Sequence, residues 1–326
     1  MSQLIPVLWS ERDVAAEDAL RRSVDDDDLL TALLAVEGAD TAQSLAVAGR
    51  LLELGARVKM AVDGDPPLSP KAALAQVLGH DLGLGGAGAN SRAASLRGPM
   101  RTPREAFASS YDAPENSAIS HALEHGVGQP IIVSAIWMLV GRLAGIDVTG
   151  LPLPGHFIAA VHGEPVDPFA RGRAMTPEQC RARAQAAVPG RPFEAQWMEP
   201  ASTRTIIERV LRNLARGWLL RHRAVEQAEA DLVEASTEMD RGDRVNEIGW
   251  TPEFVGLYRA IRLLTQIAPD DAPSFIERAR MAEVVGAVGD AKHCYKWVAQ
   301  HSPGTREARI AEMKLLELQD RSRTLH

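Results

Sequence analysis

The run Ile131-Ile132-Val133-Ser134-Ala135-Ile136-Trp137-Met138-Leu139-Val140 constrains this chain more than any other stretch of its sequence. It has about half the roughly 20 apolar residues that a membrane-spanning helix requires, and Gly141-Arg142 stops it. Pro130, just before it, suits a first helical turn, where its missing amide is not needed. The pattern therefore predicts a helix from Pro130 to about Ala144, ended at Gly145 and buried in protein rather than lipid. An apolar helix of this kind needs partners on its sides, so the rest of the chain has to supply a core around it.

The chain can do so. With 326 residues, 45% of them hydrophobic, it is long enough for two domains with buried cores. A net charge of −7 argues against general nucleic-acid binding, which needs clustered Lys and Arg on a net-positive face. Cys180 and Cys294 are the two cysteines; they show no metal-type or disulfide-framework spacing, which fits a reducing compartment. Met1 to Trp9 has no basic region, and its apolar run is too short for a signal peptide before Glu11 and Arg12. The expectation is a cytoplasmic protein with no membrane partner.

Four segments emerge. Residues 1–79 read as helices: Asp25 to Asp28 place negative charge at a helix amino end, and a further helix runs from Thr41 to about Leu54 with Gly55 as its stop. Residues 80–101 shift to Gly, Ala, Ser and Asn and read as a flexible linker. They spell G-x-G-x-x-G from Gly83 to Gly88, but that phosphate-cradling fingerprint needs a strand before it and a helix after it, and neither flank fits. In residues 102–200 a helix is expected over Pro103 to Ser110, a turn at Pro114 to Asn116 and a helix over Ser117 to His125. The Pro130 helix follows, and then strand candidates Val148 to Leu153 and Phe157 to His162, with Pro165 to Phe169 joined through a turn at His162-Gly163-Glu164. That turn would pair Ala159 with Asp167. Residues 201–326 read as helical: one or two helices over Thr203 to Met239, then Pro252 to Ile267, Pro273 to Val285, Asp290 to Gln300 and Glu307 to Leu318. Ala282, Gly289-Asp290, Cys294, Tyr295, Val298 and Pro303 have the small and aromatic spacing of a tetratricopeptide-like unit, with Cys294 as a packing residue. The fold class expected is α+β, mainly α, with a small antiparallel sheet.

Two constellations carry potential chemistry. His121-Ala122-Leu123-Glu124-His125 has the H-x-x-E-H spacing that sets two zinc ligands one turn apart. Gly126 ends the helix at once, however, and no third-ligand motif follows, so two histidines favoured by the dipole at a helix carboxyl end account for the pattern. The second constellation is Pro154-Gly155-His156-Phe157 followed by Asp167-Pro168-Phe169, where a hairpin brings an imidazole toward a carboxylate.

With Tyr111-Asp112-Ala113-Pro114-Glu115-Asn116-Ser117, Gly128-Gln129-Pro130-Ile131 and Gly145-Ile146, in this order, the second constellation resembles SirB-type transglutaminase-like proteins. These join a transglutaminase-like (papain-like) core to tetratricopeptide repeats. The resemblance covers roughly Thr102 to Gly172 and, loosely, the carboxy-terminal helices. It implies that His156 and Asp167 stand where the superfamily holds the base and orienting acid of a cysteine nucleophile. The thiol's own place falls on Pro130, and proline cannot be a nucleophile. Cys180, expected in a surface helix, and Cys294, in the repeat region, do not replace it. Ser134 lies one turn along the same helix face. A serine inside a helix lacks the exposed turn that usually presents such a nucleophile, and a hydrogen bond to the carbonyl four residues back accounts for it.

The expected function is therefore that of a non-catalytic regulatory or interaction protein on a degenerate core. It would bind a protein or peptide partner, with Asn116, Gln129 and Pro130 marking a candidate cleft, and would need no cofactor. The alternatives are an amide hydrolase or acyltransferase using Ser134, His156 and Asp167, or a zinc hydrolase using His121 and His125. Arg204, Arg209, Arg212, Arg216, Arg221 and Arg223 form either a docking face for an acidic partner or a solvated face paired with Glu208 and Glu226.

Overall fold

A computed structural model of the chain describes residues 10–86, 111–235 and 251–324. The helix expected over Pro103 to Ser110 and most of the 80–101 segment lie outside the described residues. Helices α1 (Glu11–Asp25), α2 (Leu29–Glu37) and α3 (Thr41–Val62) come first, then α4 (Pro70–Leu74), which runs into a π-helical turn over Ala75–Asp81. The core follows with a 3₁₀ turn Pro114–Ser117, α5 (Ile119–His125) and α6 (Pro130–Leu143). After it come strands β1 (Val148–Leu151), β2 (Ile158–Val161), β3 (Glu164–Asp167) and β4 (Arg173–Ala174), and helix α7 (Pro177–Ala187). The chain continues through α8 (Thr203–Ala235), α9 (Pro252–Ile267), α10 (Ala272–Val284), α11 (Val288–His301) and α12 (Arg306–Thr324). This is the expected α+β, mainly α, architecture.

The Asp25 to Asp28 run does more than cap one helix. Asp28 accepts from the Thr31 amide at the start of α2, Asp27 accepts from the Thr203 amide at the start of α8, and Asp25 pairs with Arg204 at 3.0 Å. Helix α3 does not stop at Gly55 as expected but continues to Val62. Its Gly55 lies where a Cβ would come within 2.7 Å of the Leu143 side chain, so the absent side chain lets α3 close on α6. Of the Gly-rich segment, residues 84–86 are packed rather than loose: Leu84 is fully buried, the Gly85 amide donates to Gly126 O, and the Gly86 amide donates to Phe169 O.

Helix α6 is buried along most of its length, including Pro130, Ile132, Ile136, Trp137 and Val140. The sheet is antiparallel in the order β1-β2-β3-β4. Phe157, Ala159, Val161 and Val166 join α6 and the amino-terminal helices in the main core. Leu151, Leu153, Ile158 and Ala160 pack with Cys180 and Ala184 of α7 and with Trp197. The strands thus alternate between two apolar layers, as a sheet covered on both faces must. Cys180 was expected on a surface helix; it is fully buried under the sheet.

The β2–β3 turn has two residues, His162 and Gly163, both with left-handed φ (49° and 80°), in the manner of tight hairpin turns. The register is therefore Ala159 with Val166, one residue away from the pairing expected for a three-residue turn. Continuing the ladder by one step sets Ile158, not Ala159, opposite Asp167. That residue of shift decides which face each side chain takes, and it places His156, two residues before Ile158, on the diagonal toward Asp167.

Over the Thr203 to Met239 stretch a single helix, α8, runs to Ala235, and the remainder lies outside the described residues. Its Ile206, Ile207, Val210 and Leu211 belong to the main core, so the head of α8 is part of the same packing unit as α6. Farther along, Ala215, Trp218 and Leu219 lean on a second core built from α9 to α12 around Phe275, Cys294, Tyr295 and Val298. Cys294 fills the small packing position expected of it. Beside it Arg278 gives two charged hydrogen bonds to Asp290 and one to Thr265, and the Tyr258 hydroxyl donates to Asp290 at 2.8 Å.

Candidate functional site

Three short-range devices bring His156 to Asp167. Pro154-Gly155 turns the chain after Leu153, and Gly155 adopts φ +67°, where a Cβ would also come within 2.6 Å of Ala187. The His156 amide then donates to Leu153 O at 3.2 Å. Asp167, at the end of β3, uses its side chain to cap the 3₁₀ turn Pro168–Ala170, accepting at Oδ1 from the amides of Phe169 (3.1 Å) and Ala170 (3.3 Å). The same oxygen meets His156 Nε2 at 3.0 Å. Both residues are buried, 4% and 2% exposed.

Burial by itself pushes the Asp167 carboxyl up. The His156 hydrogen bond and charge, Arg183 and the Ala170 amide outweigh it and hold the group below its ordinary value. The pair is thus an ionised, oriented carboxylate on an imidazole, surrounded by aromatic edges. Phe169 stands edge-on to His156 with centroids 5.8 Å apart, and Tyr111 edge-on to Phe169 at 6.1 Å.

One member of this arrangement was not legible as such. Arg209, in the run that suggested a docking or solvated face, donates to Leu153 O (2.9 Å) and His156 O (3.0 Å), and its guanidinium lies 5.7 Å from the Phe157 ring centroid. It clamps both ends of the turn that carries His156. The rest of the arginine run does similar work: Arg212 pairs with Asp271 at 2.6 Å, Arg216 with Asp112 at 3.4 Å, and Arg221 with Glu115 through two hydrogen bonds. Arg212 also approaches Glu208 at 3.9 Å, while Glu226 meets His222. Most of these arginines tie α8 to its neighbours, and of the expected pairings within the helix Arg212 with Glu208 is present.

Ser134 does not join the pair. It is fully buried, and its Oγ donates to Phe157 O at 3.4 Å, across to the sheet rather than back along its own helix. The position is that of a strut between helix and strand. Pro130 is the buried first residue of α6. Gln129 donates its amide to Asn116 O at 2.8 Å, and Asn116 Nδ2 donates to Tyr111 O. All three residues of the candidate cleft, Asn116, Gln129 and Pro130, are buried.

Neither thiol is poised for attack. Burial pushes the Cys180 thiol up and the charge of Asp167 adds to it, while burial carries Cys294 up to about 12. A nucleophilic thiol needs the opposite shift. The rings of His121 and His125 lie with centroids 4.4 Å apart, tilted at 57°, and Glu124 approaches His125 at 3.8 Å. Among the described residues no group of three His, Cys, Asp or Glu side chains gathers to hold a metal. None of the described helices is long and apolar enough to cross a membrane.

Residues 105–212 match the family described as the transglutaminase-like superfamily. Two UPF0162 proteins of Xylella fastidiosa, from strains Temecula1 and 9a5c, are each 37% identical to this chain over 112 residues. That segment is 32% of this chain and 40% of each relative, so the match spans two fifths of the relatives' length. No solved structure matches. The matched segment runs from before the 3₁₀ turn at Pro114 through the head of α8 and so takes in His156, Asp167 and Arg209.

Proposed function

With a transglutaminase-like domain in residues 105–212 as the premise, we propose that this chain is a non-catalytic regulatory or interaction protein. It is of the SirB type, with a degenerate core and a tetratricopeptide-like helical platform, and it works in the cytoplasm on a protein or peptide partner. The observation that carries the reading is local. The start of α6, where the superfamily's thiol would stand, is a buried Pro130, and the hydroxyl one turn along that helix, that of Ser134, is spent on Phe157 O. His156 and Asp167 keep the geometry of a general base and its orienting acid, but they serve here to lock the Pro154–His156 turn to the Pro168–Ala170 turn. Stacked antiparallel helices such as α9 to α12 offer the extended surface on which helical repeats commonly receive partners.

The test is covalent labelling of the full chain with fluorophosphonate and iodoacetamide probes, beside Ser134→Ala, Cys180→Ala and His156→Ala. The expected result is no stoichiometric, His156-dependent labelling of the native protein. Labelling of Ser134 or Cys180 that disappears in the matching variant and in His156→Ala would replace this reading with an acyl-transfer enzyme.

A further inference from the structure

Helix α3 is apolar on two faces. Val47, Leu51, Leu54, Gly55 and Val58 are buried in the packing of α3 against α4, α5 and α6. The opposite face, which a helix of a globular protein ordinarily gives to charged and polar residues, carries Ala42, Leu45, Gly49, Leu52, Ala56 and Met60. All six are exposed, Leu45 by 69%, Leu52 by 59% and Met60 by 73%. Single apolar side chains on a surface need no explanation, but a contiguous row of them marks a site of interaction.

Gly49 sits inside this helix, where glycine weakens helical structure, and a Cβ added there would meet no atom of the described residues within 4 Å. Gly55 differs, since its Cβ would strike Leu143. Nothing in the described chain uses the space that Gly49 leaves, so the close approach it permits is to something outside. The spacing says what shape that visitor has. Ala42, Gly49 and Ala56 are seven residues apart, and Leu45 and Leu52 follow the first two by three residues. This is the a/d repeat of a two-helix seam, with small residues at a and leucine at d. A second α3 laid antiparallel over the first, about a two-fold axis near residues 50 and 51, sets Leu52 opposite the partner's Gly49 and Leu45 opposite the partner's Ala56. Large then meets small in both directions, as a self-complementary two-fold contact requires. A parallel pair would set leucine on leucine and leave the two glycines facing each other.

The charges of α3 point the same way. Arg50 pairs with Glu53, Arg57 with Asp81 and Lys59 with Asp63, all within the chain. The face therefore asks for no charged partner, while the antiparallel order brings the amino end of each helix macrodipole beside the carboxyl end of the other. We propose that the outer face of α3 is a self-association surface, on which a second copy of this chain docks α3 against antiparallel α3. From Ala42 to Met60 the seam is about 28 Å long and about 10 Å wide, or about 300 Å² per copy. A stable interface buries about 800 Å² per partner, so the dimer is weak and forms with rising concentration.

Sedimentation velocity of the full chain from micromolar to millimolar concentration tests this. The weight-average mass is expected to rise from 35.2 kDa toward twice that value, with a dissociation constant between about 10 μM and 1 mM. Leu52→Glu, at an exposed position, should hold the chain monomeric throughout while its circular dichroism spectrum stays unchanged. Gly49→Leu fills open space with a better helix former; it should unfold at the same temperature as the native chain or higher, and yet be monomeric. Leu45→Cys together with Ala56→Cys in one chain should give a disulfide-linked dimer on oxidation, and neither substitution alone should do so. A mass of 35.2 kDa at every concentration, a dimer that survives either Leu52→Glu or Gly49→Leu, or efficient linkage by the single cysteine variants would overturn the proposal.

Discussion

Replacing Asp167 by alanine should cost this protein more than any other single change at the His156 turn. The carboxylate is 2% exposed and accepts three hydrogen bonds at one oxygen, from His156 Nε2, Phe169 N and Ala170 N. A hydrogen bond to a charged group contributes about 1.5–3 kcal/mol. Removing the carboxylate leaves three buried donors without their acceptor, and each unsatisfied buried group costs about 1–3 kcal/mol. Asp167→Ala is thus expected to lose about 3–5 kcal/mol, and Asp167→Asn, which keeps an acceptor but no charge, about 1–2 kcal/mol. A double-mutant cycle with His156→Ala in urea unfolding, followed by circular dichroism, should return a coupling of about 1.5–3 kcal/mol at pH 7. In the carboxylate range the coupling must fall with pH. Folding holds the Asp167 carboxyl below its ordinary 3.8, so its stabilisation is complete above that value. It is lost as pH falls through the lower, folded value. A change of less than about 0.5 kcal/mol in Asp167→Ala, or a coupling that grows as pH falls below 3.8, would refute the account.

Arg209→Met should release the two carbonyls of the Pro154–His156 turn at a cost of about 2–4 kcal/mol. Hydrogen exchange should quicken at His156 and Phe157 well before α6; uniform quickening through the core would contradict a local clamp. Ser134→Ala removes one long hydrogen bond and should shift stability by less than about 1 kcal/mol, measured by urea unfolding, because its role is that of a strut. Both thiols should resist Ellman's reagent in the native protein and react together on unfolding, as burial raises them; a fast native thiol would locate an opening at α7 or α11. Arg278→Met leaves Asp290 half-buried and without its guanidinium beside Tyr258 and should cost about 2–4 kcal/mol. The loss should be confined to residues 252–324 in exchange experiments, with α6 still protected.

The sequence displayed the parts whose signals are local. Pro130 and Gly145 bracket α6, apolar runs with Pro and Gly punctuation mark the strands, and the family-like order of short motifs pointed to His156 and Asp167 as a pair. What it concealed depends on contacts far along the chain or on a single backbone choice. The hairpin register turned on His162 taking a left-handed conformation, which an L-residue adopts seldom and announces by no pattern. Cys180 and Ala184 make too small a stripe in the polar α7 for a helical period to reveal that face as buried. Gly55 reads as a stop by itself, and only the approach of Leu143 explains its place inside a helix. Arg209 lies 53 residues from His156 in sequence, and an arginine that seeks carbonyl oxygens looks, in sequence, like any other charge on a helix.

Helix α8, 33 residues long and so about 50 Å from end to end, belongs to both halves of the molecule. Its head lies in the main core, Arg209 grips the backbone on either side of Gly155, Arg221 is tied to Glu115, and Trp218 rests on α9. The chain therefore has no natural seam at residue 200. A version ending there would forfeit Ile206, Ile207, Val210 and Leu211 along with the guanidinium that steadies the imidazole's turn, and the shortest piece that keeps its histidine in place has to extend beyond Arg221.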